Sequence, residues 1–212
     1  MQPAFWKQRW QEGQIGFHST TVHPDLIEHE STFLQDGPHR ILVPLCGKSV
    51  DLAWLAERGH PVVGIELVRS AVEELFQQAN LTPEWTEVSG GECATAGNIT
   101  VFVGDLFELD ADAIGPVSRV WDRAALIALH PNQRPAYTER LLAWLQPGGH
   151  ILMNVLAYDP ALMDGPPWSV RKGIVRRLYP SAQEIGRRDA LDDRWRARGH
   201  EQLDAVTWRI DR

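Results

Sequence analysis

The stretch RILVPLCGKSVDLAWLAERGHPVVGIEL, residues 40–67, constrains this chain more than any other. Ile41 to Pro44 read as a strand, Leu45 to Ser49 as a small-residue loop, Val50 to Arg58 as a helix and Val62 to Glu66 as a second strand. Two strands joined by a helical crossover lie parallel in one sheet. Gly47, at the first turn, lets backbone approach a ligand closely. Glu66, closing the second strand, can accept hydrogen bonds from the two hydroxyls of a ribose. The unit suits a nucleoside, so an adenosine-type cofactor is its first expected ligand. The plainer alternative is that Gly47 makes a tight strand-to-helix turn and Glu66 is a surface acid opening the next helix.

The same loop argues against phosphates. A phosphate-binding loop needs a glycine four residues ahead of its Gly-Lys pair, and that position here is Leu42, inside a strand. The dinucleotide fingerprint is missing its second and third glycines. A nucleoside cofactor without a pyrophosphate cradle points to S-adenosylmethionine.

Alternation continues beyond the opening unit. Ser70 to Ala79 reads as a helix with Ala71, Leu75 and Phe76 inward, and NITVFV (98–103) as a strand followed by GDLFEL. Val117 to Trp121 is a further apolar strand running into Asp122-Arg123. A helix from Asn132 to Leu145 stops at Pro147-Gly148-Gly149, and His150 to Leu156 is again a strand. The tail carries a helix near Ile174 to Leu178 and one or two strands, the clearest over Ala205 to Ile210. Such succession predicts an α/β fold with a mostly parallel sheet covered on both faces. The first forty residues are helical and aromatic-rich: Phe5, Trp6 and Trp10 precede a stop at Gly13, and a short helix follows His23-Pro24. The expected organisation is a single domain over 1–212, with an N-terminal helical lid over 1–38 and an α/β core over 39–212.

Charge narrows the partners. The chain of 212 residues has a formal net charge of −7, which disfavours a nucleic-acid surface. Its C-terminal cluster of arginines is interrupted by Glu184, Asp189, Asp192 and Asp193 and reads as a solvated helical face. Two cysteines build neither a disulfide framework nor a metal site, and His18, His23 and His130 lack ligand spacing. No apolar run nears the roughly twenty residues of a membrane span, and the N-terminus lacks the apolar core of a signal peptide. A cytoplasmic, monomeric protein without nucleic-acid or membrane partners is expected.

The strand ends supply the chemistry. Asp105, after NITVFVG, can receive an adenine amino group or cap the following turn. Arg123 can stack on a ring, pair with an anion or stabilise a thiolate, or Asp122-Arg123 can be a structural ion pair. Tyr158-Asp159-Pro160 and Gly165-Pro166-Pro167-Trp168 are loops on the same edge, where proline and a broad ring make a pocket wall for a flat acceptor.

FWKQRWQEGQIGFH, PLCGKSVDLAWLAERGHPVVGIEL, GDLFEL, WDRAALIAL and YDPALMDGPPWSV occur in the order and nearly the spacing of one family. The chain resembles the thiopurine S-methyltransferases, particularly the bacterial branch, from Phe5 to about Val170. The resemblance implies a Rossmann-like class I S-adenosylmethionine-dependent methyltransferase that alkylates sulfur on small aromatic or heterocyclic thiols, with a part in detoxification. Cofactor contacts carry over to Trp10, Leu45, Glu66, Asp105, Leu106 and Arg123, and acceptor contacts to Phe17 and Trp168. Arg123 then raises the thiolate fraction of the acceptor and Asp122 orients Arg123. Two alternatives stay open: methylation of selenium or tellurium oxyanions, and a nicotinamide-dependent oxidoreductase built on the same β-α-β opening.

Overall fold

The computed structural model describes residues 3–212. Helix α1 (Pro3–Gln11) is followed by the short helices α2 (Pro24–Glu28) and α3 (Glu30–Phe33). The opening unit is β1 (Ile41–Pro44), α4 (Asp51–Glu57) and β2 (Val62–Glu66), matching the sequence reading to within a residue. Then come α5 (Arg69–Gln78), β3 (Glu84–Val88), β4 (Gly91–Ala96), β5 (Ile99–Val103), α6 (Ala111–Ile114) and β6 (Val117–Arg123). The chain ends with α7 (Arg134–Trp144), β7 (Leu145–Ala157), α8 (Lys172–Leu178), β8 (Gln183–Asp189), α9 (Asp193–Arg196) and β9 (Asp204–Asp211).

These strands form one sheet in the order β3-β4-β5-β2-β1-β6-β7-β9-β8. The run β5-β2-β1-β6-β7 is parallel, while β4 and β9 pair antiparallel at its flanks. Every residue of β1 and β2 is buried, as expected for strands covered on both faces. The two faces carry separate cores: Leu42, Ile65, Val120, Met153 and Trp208 on one, Ile41, Val43, Leu52, Val101 and Trp121 on the other. Gly64 sets the spacing on the second. A Cβ there would lie 2.8 Å from the Cys46 sulfur and 3.1 Å from Leu52 and Val101 side chains, so only glycine lets α4 settle. Among the described residues no helix is long and apolar enough to cross a membrane.

Three expectations change. The hairpin β3–β4 was not foreseen, because EWTEV and GECATA form a half-exposed flank with no apolar run to read. Helix α7 starts at Arg134, after a 3-10 turn over Pro131–Gln133. The C-terminal arginines do not share a helical face: Arg187 and Arg188 lie on the edge strand β8, whose exposure alternates residue by residue. Arg187 binds Asp204 at 2.6 Å and Glu184 at 2.7 Å, and Arg188 pairs with Asp25.

Asp25 divides the segment expected as a lid. Its buried carboxylate accepts from Thr207 Oγ1 at 2.5 Å, from Asn154 and from Arg188, joining α2 to β7, β9 and β8. Leu26 and Phe33 are fully buried. By contrast, no side chain of α1 is buried. Residues 22–33 are thus anchored to the core, with His23 N–H donating to Asp51 at 2.9 Å and Val22 packed against the second cluster.

His150 at the start of β7's apolar run is 4% exposed, beside the Phe33 ring. Burial, then the Arg119 and Arg209 charges, push its pKa down from 6.5 to about 4. A depressed histidine contributes stability present above pH 6.5 and lost as pH falls toward 4. Urea denaturation between those limits should show His150→Gln losing about 2 kcal/mol less than the parent chain. Parallel losses would remove His150 from the acid response.

Candidate cofactor and acceptor site

The parallel strands end along one edge of the sheet, where loops 45–50, 67–68, 104–110, 124–130 and 158–171 converge. The centre of that edge is Glu66. It is 6% exposed, with Oε2 accepting the Gly47 N–H at 2.8 Å and Oε1 accepting the Val68 N–H at 2.9 Å. Burial raises its pKa, and the Val68, Gly47 and Leu67 amides oppose that rise. Each carboxylate oxygen has two lone pairs, so both retain capacity for a ribose hydroxyl. Glu66 therefore fits the expected ligand while already tying the end of β2 to the loop after β1.

That loop turns through left-handed backbone at Leu45 (φ 48°) and Gly47 (φ 53°). Glycine adopts this conformation without strain. Here space demands it too, since a Cβ on Gly47 would lie 3.2 Å from Cζ2 of Trp10. The Trp10 indole thus rests on the loop, in edge contact with Phe17 at 5.8 Å, and Phe17 is also 5.8 Å from Trp6. Lys48 lies 6.0 Å from the Trp10 ring and binds Glu74 of α5 at 2.6 Å. Trp10, Leu45, Glu66 and Phe17 consequently stand around one feature, the Gly47 turn.

Asp105 plays the capping role that the sequence allowed for an acid there. Its Oδ1 accepts the Phe107 N–H at 2.9 Å and its carbonyl accepts from Glu108 and Leu109, so it caps the turn after β5. Leu106 is 2% exposed and its side chain packs in the core.

The expected pairing of Asp122 with Arg123 is not found, because successive strand residues point to opposite faces. Asp122 is fully buried on the Val120 side, accepting from Tyr137 Oη at 2.9 Å and from the Leu126 N–H at 3.2 Å. Desolvation pushes its pKa up to about 6. Arg123 projects to the Trp121 side. Its favourable charge there is Asp51, whose oxygens accept the Trp121 Nε1–H at 2.8 Å and the His23 N–H at 2.9 Å. Among the described residues Arg123 forms no hydrogen bond or ion pair of its own. Asp122 supports β6 from behind; Asp51 shapes the field on the working face.

The loop after β7 is closed on itself. Its base is closed by Ser169, which donates to the Tyr158 carbonyl at 2.8 Å and accepts the Tyr158 N–H at 3.1 Å. Tyr158 Oη donates to the Pro167 carbonyl at 2.6 Å, across the consecutive cis bonds Gly165-Pro166 and Pro166-Pro167. The Trp168 N–H donates to the Ile127 carbonyl at 2.7 Å, and its ring meets His130 edge-on at 5.0 Å. His18, His23, Lys48 and Asp51 belong to no motif that marks them in the sequence as neighbours of this edge. Their one signal was adjacency to Phe17 and to the Gly47 turn.

The family model described as thiopurine S-methyltransferase matches residues 1–212. A thiopurine S-methyltransferase of Bordetella petrii is 39% identical, covering 100% of this chain and 99% of the relative. One of Xanthomonas campestris pv. campestris is 42% identical, with 100% of both chains covered. Among solved structures, the 1,6-didemethyltoxoflavin-N1-methyltransferase of Burkholderia thailandensis with bound S-adenosylhomocysteine superposes with TM-score 0.63 at 16% identity, covering 99% of this chain and 87% of that one. The N-methyltransferase NodS of Bradyrhizobium japonicum with S-adenosylhomocysteine gives TM-score 0.60 at 14% identity, covering 89% and 86%. At such identity the last two speak for the fold, that of class I methyltransferases.

If Asp122 supports β6 through Tyr137, the two are energetically coupled. Asp122→Ala leaves the Tyr137 hydroxyl and the Leu126 N–H unpaired and should cost about 2–3 kcal/mol in chemical denaturation. Adding Tyr137→Phe should then cost less than Tyr137→Phe alone, by a coupling of about 1 kcal/mol in a double-mutant cycle. Additive losses would break the link.

Proposed function

The chain belongs to the thiopurine S-methyltransferase family, and we propose that its Gly47 turn, Glu66 and Arg123 carry the family's reaction. The activity is S-adenosylmethionine-dependent S-methylation of a thiopurine-type small molecule, yielding S-adenosylhomocysteine and the S-methyl thioether. The observation that carries the residue reading is the buried Glu66 carboxylate, which faces the Gly47 turn with lone pairs to spare.

In this reading Glu66 accepts the two ribose hydroxyls, Leu45 and Trp10 line the cofactor, and Asp105 with the Leu106 backbone flanks the adenine. S-adenosylmethionine, when bound, supplies an already activated methyl group. The protein's contribution is therefore positioning and exclusion of water. Trp6, Trp10 and Phe17 close over the acceptor, and the Pro166-Pro167-Trp168 wall faces its ring. Arg123, whose guanidinium has no acceptor of its own, holds the acceptor sulfur as thiolate.

The family's named activity favours a thiol over selenium or tellurium oxyanions as acceptor. A nicotinamide dinucleotide would need the pyrophosphate glycines that the Gly47 turn lacks. The working form is read as a monomer, supported by the dispersal of the exposed apolar side chains Ile27, Leu81, Leu162 and Ile185 over four separate segments among the described residues.

Calorimetry with S-adenosylhomocysteine tests the ribose assignment. Two hydroxyl bonds to a carboxylate lost in Glu66→Ala should weaken binding by about 2–3 kcal/mol, roughly 30- to 150-fold, with no binding of NAD to either protein. Unchanged affinity would remove Glu66 from the cofactor site.

A further inference from the structure

We propose that Lys48 is a positioning residue for the cover of the cofactor: held by Glu74, its ammonium keeps the Trp10 indole down on the Gly47 turn and so slows release of the adenosyl ligand. The inference rests on the reading above that Trp10 lines the cofactor.

Helix α1 has little else to hold it. None of its side chains is buried, and among the described residues no hydrogen bond or ion pair joins it to the core. Its side-chain bonds stay within the segment: Gln8 donates to Glu12 at 2.7 Å, Arg9 to Gln14 at 3.1 Å and Gln14 to Glu12 at 2.8 Å. Trp10 is the point of docking. Its Cζ2 lies 3.2 Å from where a Cβ on Gly47 would stand, and the next residue, Lys48, places Nζ 6.0 Å from its ring centroid. Phe17 meets the same indole edge-on at 5.8 Å and meets Trp6 at 5.8 Å, so these rings follow wherever Trp10 is held.

A lysine head free in water gains little from a ring, because a compact ammonium is strongly hydrated and its stem is flexible. Lys48 differs on both counts. Its side chain is 13% exposed, and Nζ donates to Glu74 Oε2 of α5 at 2.6 Å. The ammonium is therefore partly desolvated and fixed by a partner other than the ring, the two conditions that strengthen a cation–π contact. At 6.0 Å the contact is at the long end of its range, so its weight is a few-fold in affinity and not orders of magnitude.

The contact also continues the chain that starts at the expected ribose carboxylate. Glu66 Oε2 accepts the Gly47 N–H at 2.8 Å, Gly47 is the floor beneath the indole, and Lys48 is the residue after it. Floor and cover are thus set by two successive residues of one turn.

Lys48→Met keeps the length and apolar stem of the side chain and removes the charge. In stopped-flow displacement, S-adenosylhomocysteine should leave this variant about three- to ten-fold faster than the parent chain, with association little changed. The Kd from calorimetry should rise in step. In turnover, KM for S-adenosylmethionine should rise more than kcat falls. Glu74→Gln should move release in the same direction by a smaller factor, because an amide holds the ammonium less firmly. A readout independent of turnover is the fluorine spectrum of the full chain labelled with 5-fluorotryptophan, in which Trp10→Phe assigns the Trp10 resonance. With S-adenosylhomocysteine bound, that resonance should be single and narrow in the parent chain. In Lys48→Met it should broaden and shift toward its ligand-free position.

Unchanged release from Lys48→Met would overturn the assignment. So would faster release with the Trp10 resonance unmoved, since Lys48 would then act on the ligand directly and not through the indole. Trp10→Ala separates this failure from that of the underlying reading. If Trp10→Ala weakens S-adenosylhomocysteine binding while Lys48→Met does not, only the role of Lys48 is wrong. If Trp10→Ala leaves binding unchanged, Trp10 does not line the cofactor and the proposal falls with that reading.

Discussion

The bridge from the Glu66 carboxylate to the Gly47 and Val68 amides is the constraint on which the site depends. A carboxylate that is 6% exposed is costly to bury unless its charge is met by donors, and here backbone meets it. The same contacts fix the left-handed turn at Gly47, and that turn is the floor on which Trp10 rests. Glu66 thus organises the loop and the N-terminal aromatics before any ligand is considered. In the proposed reading, affinity for the cofactor is therefore tied to the packing of Trp10 on that turn.

The second organising fact is the alternation of β6. Asp122 and Arg123 are sequence neighbours that never meet, one supporting the strand through Tyr137, the other facing Trp121 and Asp51. The separation leaves the Arg123 guanidinium without a carboxylate partner, as the proposed thiolate role requires. A direct Asp122–Arg123 pair would neutralise the charge that favours a thiolate. Asp51 supplies a weaker balance, because both of its oxygens are committed to Trp121 and His23. Arg123 can therefore stay buried and charged without being quenched.

The β-α-β opening was legible because it joins apolar strands of the right length to a glycine turn, and the structure reproduces Ile41–Pro44 and Val62–Glu66. Strands buried on both faces announce themselves as apolar runs; β3, β4 and β8 are flank or edge strands half exposed to solvent and do not. The arginines of β8 looked helical only because charge carries no period of its own. Glu66 and Arg123 were legible as strand-end residues. The direction of Arg123, and the Asp51 that faces it, were not, since Asp51 reaches the site through a fold contact with Trp121 seventy positions away in sequence. Asp25 is the extreme case, reading as a helix-start acid but bonded to Thr207 across 182 positions.

The electrostatics of the mouth explain why a cationic site need not be a fast one for every thiol. Lowering the pKa of a sulfur raises its thiolate fraction but also reduces its intrinsic nucleophilicity, so the best acceptor is one whose pKa on the protein falls near ambient pH. Lys48 is paired to Glu74, leaving Arg123 as the main unquenched charge. One such charge shifts the balance moderately; two would over-stabilise the thiolate and slow its attack. Lys48 is matched by Glu74 at 2.6 Å and is therefore the poorer candidate of the two cations for a sulfur anion. Heteroaromatic thiols, whose ring already spreads the sulfur's charge, need only that moderate assistance, and the proposed reading leaves the choice among them to the shape of the site more than to its charge.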